Sequence, residues 1–180
     1  DEEAVEKRMA EMAEKKKPSP CSTGFSGCPG NAAKLINRDK VKEEKTSTTS
    51  SETPVEVPSE LNQWPVQLML INPRAPYLDN ANLLIAADCT AFAYGNFHKD
   101  FIKDHITVIG CPKLDDNNFY AEKLTEILSS NNIKSITVVR MEVPCCGGIV
   151  NATRSAMLNS QKIVPYREVV IGTDGRIVKG

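Results

Sequence analysis

The sequence lacks long apolar runs and several signature motifs of enzymes. No apolar run reaches the roughly 18 residues that a membrane-spanning helix needs, and no signal-peptide pattern opens the chain, so we expect a cytoplasmic protein with no membrane partner. A P-loop, a Gly-x-Gly-x-x-Gly turn and a serine triad are also missing from the sequence. Their absence argues against kinase, dinucleotide-binding and hydrolase functions.

The chain also lacks an excess of charge of either sign. Its 180 residues have a formal net charge of -1, and residues 1–58 carry eleven acidic and ten basic side chains. A nucleic-acid-binding protein needs a clustered positive face, so we expect no nucleic-acid partner. A chain that is 41% hydrophobic and 25% charged is typical of one domain of ordinary size with an extension.

The composition changes along the chain and predicts three segments. Residues 1–33 form an irregular or helical N-terminal arm with Cys21 and Cys28, and residues 34–60 form a flexible polar linker without aromatic side chains. Residues 61–180 form a compact α/β domain. The chain opens on Asp1 rather than on methionine, so we expect an upstream part.

From Trp64 onward, short apolar runs alternate with helical patterns. Strands are predicted over 66–71, 82–87, 106–110 and 136–141, helices over 91–103, 117–130 and 147–157, and a closing hairpin over 169–171 and 177–178. This alternation is typical of βαβ units joined by right-handed crossovers. The fold class is therefore predicted as α/β: a Rossmann-like three-layer domain with a mostly parallel sheet, preceded by the N-terminal arm.

Five of the six cysteines fall where such a sheet brings them together. Cys89, Cys111 and the tandem pair Cys145 and Cys146 each follow a predicted strand, and Cys28 lies in a Gly-Cys-Pro-Gly turn. The carboxyl ends of parallel strands share one rim, where ligands of open α/β sheets bind. Cytosolic thiols persist more often as thiolates or metal ligands than as disulfides. We therefore predict a shared metal or iron–sulfur site.

The type of metal is a separate question, because four thiolates suit zinc as well as a four-iron cluster. Ligands from separate strand ends surround a wide site, whereas structural zinc sites use closely spaced Cys-x2-Cys pairs. This spacing and the softness of sulfur favour a [4Fe–4S] cluster, with zinc as the alternative. Helix amides would lower thiol pKa values and offset the charge of a cluster. Gly147 and Gly148 would let backbone amides approach sulfur closely, and hydrogen bonds to sulfur help to set a cluster's reduction potential.

Other polar residues of the rim have two interpretations. His98 lies on the helix predicted after Cys89. Its side chain either reaches the site or has only a structural role, on the helix surface or packed within the fold. Four further polar residues lie on the same rim and either tune the site or bind substrate: Asp88, Lys113, Asp115 and Asp116. The alternative for Asp115 and Asp116 is to cap the helix that follows them.

Several longer motifs resemble a family of iron–sulfur cluster-binding proteins of anaerobic prokaryotes. They are the stretches 64–68 (WPVQL), 86–94 (AADCTAFAY), 97–98 (FH), 110–116 (GCPKLDD) and 141–148 (MEVPCCGG), together with 28–30 (CPG). The resemblance implies a bound iron–sulfur cluster, a role in electron transfer, and an upstream bacterial-type ferredoxin domain or another redox partner protein. Cys145-Cys146-Gly147 is also similar to the Cys-Cys-Gly signature of heterodisulfide-reductase-type subunits, which bind cubane-derived clusters.

Residues and resemblance together predict an iron–sulfur cluster-binding protein that acts in electron transfer, as a redox module or as a component of an oxidoreductase. The expected ligands are drawn from five cysteines: Cys28, Cys89, Cys111, Cys145 and Cys146. The alternative is a zinc-binding structural or redox-sensing module without electron-transfer activity.

Overall fold

The computed structural model of this protein describes residues 34–36 and 57–180. The predicted arm, with Cys21 and Cys28, lies outside the described residues, as does most of the predicted linker. Within the described part, no helix combines the length and the hydrophobicity that crossing a bilayer requires.

The described elements follow one another in the order that the sequence predicts from residue 82 onward. The strands are β1 (Lys34–Leu35), β2 (Gln63–Trp64), β3 (Asn82–Ala87), β4 (Ile106–Gly110), β5 (Ser135–Met141), β6 (Tyr166–Ile171) and β7 (Ile177–Lys179). The helices are α1 (Thr90–Ala93), α2 (Asn117–Ser130) and α3 (Gly147–Ser160), with a π-helical turn at His98–Ile102 and 3₁₀ turns at Leu68–Leu70, Pro76–Leu78 and Pro144–Cys146.

Strands β3 to β7 form one sheet in the order β4-β3-β5-β6-β7. The first four are parallel, and β7 pairs antiparallel with β6 at the edge. Renumbered from β3, this is the doubly wound order 2-1-3-4-5, in which the direction of winding reverses between β3 and β5. The predicted α/β fold with a mostly parallel sheet is confirmed.

Helical segments cover both faces of the sheet, which makes three layers. β3 is buried on both sides: Leu83 and Ile85 face the cluster that contains α2 and α3, whereas Leu84 and Ala86 face the cluster that contains the π-helical turn. A strand covered on both faces reads as a continuous apolar run, which is why Asn82–Ala87 is recognisable in the sequence.

A small second sheet lies at the start of the described region. β1 pairs antiparallel with β2, and the backbone N–H of Ile36 donates to Asn62 O at 2.8 Å. The segment predicted as a flexible linker over 34–60 is therefore paired at its first two residues. Its flexibility elsewhere stays a prediction.

The prediction of a strand over 66–71 is wrong. Gln67 makes an isolated parallel bridge with Ile109, and the chain then turns into the 3₁₀ segment Leu68–Leu70. Leu68 and Ile71 are buried, whereas Met69 and Leu70 are 40% and 42% exposed. Residues three apart share one face of a 3₁₀ turn. Leu68 and Ile71 can therefore both pack in the core although this apolar run forms no strand.

The prediction of one helix over 91–103 is also wrong. The chain forms the four-residue α1, leaves the helical conformation at Tyr94 (φ -104°, ψ 112°), and resumes as the π-helical turn. Gly95 and Asn96 follow Tyr94 at the break, and both residue types have low helix propensity. Phe97 and Phe101 still pack against each other with ring centroids 5.2 Å apart, so the apolar spacing was interpreted correctly as core.

Candidate metal centre at the switch point

The reversal of winding between β3 and β5 opens a crevice at the carboxyl ends of these two strands. The chain leaves β3 toward one face of the sheet and leaves β5 toward the other, because α2 and α3 pack together on the opposite side from the π-helical turn. Cys89 lies two residues beyond the end of β3, and Cys145 and Cys146 lie beyond the end of β5. Three thiols therefore flank the position where ligands of doubly wound folds bind.

A tight turn fixes the position of Cys89. The Thr90 hydroxyl donates to Ala87 O at 2.7 Å, and the backbone N–H of Ala93 donates to Cys89 O at 3.0 Å. Asp88 N–H donates to Gly110 O at 3.2 Å, which ties the turn to the end of β4. The turn leaves Cys89 exposed at the rim.

The tandem cysteines lie in the 3₁₀ turn that continues directly into α3. The backbone N–H of Cys146 donates to Val143 O at 3.1 Å, and both Cys146 and Gly147 have right-handed helical dihedral angles. Consecutive residues of a 3₁₀ turn point about 120° apart. Accordingly, Cys145 is exposed, whereas Cys146 is buried within the core cluster on the π-helical side of the sheet.

Burial and the neighbouring thiols together shift the pKa of Cys146. Burial raises the pKa of Cys146, and a backbone hydrogen bond at Met141 partly opposes that effect. Cys145 raises the Cys146 pKa further through its charge and a hydrogen bond, and the charge of Cys89 raises it as well. The expected lowering of thiol pKa values by helix amides is therefore not the dominant effect at Cys146, because removal of this side chain from water outweighs it.

Cys111 occupies the neighbouring loop after β4. Its carbonyl accepts hydrogen bonds from the N–H groups of Leu114 at 3.1 Å and Asp115 at 3.0 Å, and its backbone N–H is hydrogen-bonded to the Tyr120 hydroxyl. The side chain is a half-buried free thiol. It lies on the same rim as the other three, one strand away from the crevice.

Gly148 lets α3 approach the Cys111 loop. A Cβ atom at this position would lie 2.8 Å from Pro112 Cβ and 2.8 Å from Asn117 Nδ2. A Cβ atom at Gly147 would have no heavy atom within 4 Å. The two glycines therefore differ: Gly148 brings the tandem-cysteine turn against the loop that carries Cys111, through close approach to Pro112 and Asn117. The predicted approach of backbone amides to sulfur stays a prediction.

We expect Gly148→Ala to lower the free energy of unfolding by about 1–2 kcal/mol, because overlap with the rigid Pro112 ring outweighs the better helix propensity of alanine. Gly147→Ala is the matched control, and it should be neutral or stabilise the protein by up to about 1 kcal/mol. Urea unfolding of the two variants measures the difference. Equal stability of the two would show that the close approach at Gly148 has no energetic consequence.

The rim carboxylates have separate roles. Asp116 caps α2, since its Oδ1 accepts from the backbone N–H of Asn118 at 2.8 Å, which confirms the capping interpretation for this residue. Asp115 instead accepts a hydrogen bond from the hydroxyl of the fully buried Tyr120. Burial first, and then the charge of Asp115, raises the pKa of Asp88, while a hydrogen bond from Gln67 opposes the shift.

Two of these supporting residues were missed by the sequence analysis. Tyr120 is part of the helical apolar pattern of α2, and nothing in that pattern indicates that its hydroxyl reaches the Cys111 loop. Gln67 lies in the run interpreted as a strand. His98, considered for the site, accepts a hydrogen bond from the backbone N–H of Glu60 at 3.2 Å, which favours its structural interpretation.

The structure thus places Cys89, Cys145 and Cys146 beyond the carboxyl ends of β3 and β5, and Cys111 on the same rim after β4. Cys28 lies outside the described residues. Over residues 34–36 and 57–180, no three His, Cys, Asp or Glu side chains form a group that could hold a single metal ion.

Comparisons with known proteins bear on the fold. An uncharacterized protein of Archaeoglobus fulgidus is 31% identical over 118 residues, which span 66% of this chain and 83% of that relative. No solved structure matches the chain. A family model described as a Rossmann-like domain matches residues 75–180, the region that holds the whole five-stranded sheet and the four rim cysteines. The chain therefore belongs to this Rossmann-like domain family.

Proposed function

We propose that this protein is an iron–sulfur cluster-binding redox module that acts in electron transfer. Cys89 and Cys111 supply two thiolate ligands, and at least one of Cys145 and Cys146 supplies a third. The other thiol of the tandem pair or Cys28 supplies the fourth. The observation that supports the proposal most directly is the position of three free thiols, Cys89, Cys145 and Cys146, beyond the carboxyl ends of β3 and β5, where doubly wound folds bind ligands.

The donor set fits a cluster chemically. Thiolates are the ligands that hold iron–sulfur clusters, and one-electron transfer is the chemistry that such a cluster supplies when bound. A thiol must lose its proton to coordinate iron, so loading is expected to release protons. Burial, which raises the pKa of Cys146, makes deprotonation of this thiol costly before metal arrives.

The exposure of the site fits exchange of electrons with another protein. Cys89 and Cys145 lie at the surface, while Cys146 anchors the turn in the core. We therefore propose that the partner is a redox protein or an upstream ferredoxin domain that docks against the carboxyl-terminal rim of the sheet. A reducing cytoplasmic setting suits this role, because it keeps the thiols available as ligands.

Zinc is the second candidate. The described rim carries four cysteines, Cys89, Cys111, Cys145 and Cys146, and four thiolates complete a tetrahedral structural zinc site. In that case the protein is a structural or redox-sensing module, and it transfers no electrons through this site.

Metal and sulfide analysis of this 180-residue chain, purified anaerobically, tests the proposal. We expect a brown protein with broad visible absorption that contains about four iron and four acid-labile sulfide per chain. Dithionite should bleach the absorption and produce a paramagnetic signal at low temperature. Stoichiometric zinc without sulfide would establish the second candidate, and absence of both metals after anaerobic reconstitution would contradict the shared site.

A further inference from the structure

We infer that a cavity beside the tandem cysteines binds a small molecule through a carboxylate or phosphate group. The cavity has a volume of about 460 Å³ and lies between the first turns of α3 and the edge of the sheet formed by β5, β6 and β7. This volume is within the range of small-molecule sites, roughly 300–1,000 Å³. The inference concerns an anionic ligand and goes beyond the proposed cluster.

The charge of the lining favours an anion. Arg140, Arg154 and Lys179 line the cavity together with one carboxylate, Glu168. The hydrogen bond from Arg140, followed by the charges of the surrounding cations, lowers the pKa of Glu168, so this carboxylate stays ionised near neutral pH. Two positive charges therefore remain in excess within a concave site, on a protein whose formal net charge is -1.

Glu168 also orients both guanidinium groups. Its Oε1 accepts from Arg140 Nε at 2.9 Å, and its Oε2 accepts from Arg154 Nη2 at 3.2 Å. Arg140 Nη1 donates to Met141 O at 3.1 Å, and the Arg154 guanidinium lies 5.9 Å from the centre of the Tyr166 ring. A guanidinium carries five N–H donors, so donors remain on both arginines after these contacts are made. Held in place in this way, they lose less entropy when they bind an oxyanion.

The first turn of α3 adds backbone dipoles to the same site. Gly147 and Asn151 line the cavity, and Gly147 is the first residue of this 14-residue helix. The space above Gly147 is open, since a Cβ there would have no heavy atom within 4 Å. The positive end of a helix and neighbouring arginines together favour a carboxylate or a phosphate group. Pro144, the residue before Cys145, also lines the cavity.

Calorimetric titration of the full chain tests the inference, with inorganic phosphate and succinate as probes at constant ionic strength. We expect saturable one-site binding of at least one probe, and the tighter of the two identifies the preferred group. Arg154→Gln and Lys179→Gln should each weaken binding about tenfold, because each removes a charge-assisted hydrogen bond.

Arg176→Gln is the matched control, because this guanidinium pairs with Asp174 in the exposed β6–β7 turn, and its affinity should equal that of the wild type. Absence of saturable binding of both probes would overturn the inference, as would an equal loss in Arg176→Gln. Iron content does not enter this measurement, so its outcome is independent of the proposed cluster.

Discussion

Cys89→Ser is expected to reduce the iron retained after anaerobic reconstitution from about four to less than one atom per chain. Cys89 is the thiol on the β3 side of the crevice, and a serine hydroxyl is a poor ligand for a metal site built for soft thiolates. Because Cys89 is exposed, the substitution should leave the fold intact. Iron and sulfide analysis measures the loss, and circular dichroism verifies the fold.

The other cysteines give a graded comparison. Cys111→Ser and at least one of Cys145→Ser and Cys146→Ala should also lose bound metal. Alanine is used at position 146 because a hydroxyl there would be buried in an apolar cluster. Cys21→Ser is the control, and we expect a milder effect from it. Retention of metal in every one of these variants would reject the shared thiol site.

Gly110→Ala should lower the free energy of unfolding by about 3 kcal/mol. A Cβ at this last residue of β4 would overlap the Tyr120 hydroxyl and lie 2.6 Å from Tyr120 Cζ. Tyr120 is fully buried among core side chains and cannot swing away. Propensity alone predicts the opposite sign, because alanine is less costly than glycine in a strand. The midpoint and slope of urea unfolding distinguish the two expectations.

Gly95→Ala provides the comparison for this effect. A Cβ at Gly95 would meet no heavy atom within 4 Å, so its unfolding curve should match that of the wild type within about 0.5 kcal/mol. The double variant Gly110→Ala/Tyr120→Phe should recover part of the loss, since the hydroxyl is removed but the ring carbon stays. Wild-type stability in Gly110→Ala would mean that β4 and α2 pack less tightly than described.

The regular elements of the sheet were predictable because their local pattern and their tertiary environment agree. β3, β4 and α2 have the predicted bounds, and each combines apolar residues with clear turn or cap residues at its ends. The misassigned segment 66–71 is a short apolar run whose core contacts either a strand or a 3₁₀ turn can make, and it carries no periodicity long enough to distinguish the two. In 91–103, the aromatic spacing was interpreted as one helix, although Gly95 and Asn96 interrupt it with low helix propensity.

The candidate site was predictable to the level of the rim. A cysteine directly after a parallel strand must lie at the carboxyl-terminal edge of the sheet, so Cys89, Cys111, Cys145 and Cys146 could be placed there from order alone. The difference in burial between Cys145 and Cys146 could not be predicted from the sequence. It depends on the geometry of the 3₁₀ turn and on the core cluster that buries the Cys146 side chain.

By itself, the sequence determined the α/β class, the alternation of strands and helices, and the edge of the sheet at which the thiols lie, since these follow from periodicity and chain order. Only the tertiary structure decided that winding reverses between β3 and β5, that Gly148 rather than Gly147 makes the close contact, and that Arg140, Arg154 and Lys179 surround one cavity. These features depend on strand order and on distances between residues far apart in the chain, and local propensities carry no information about either.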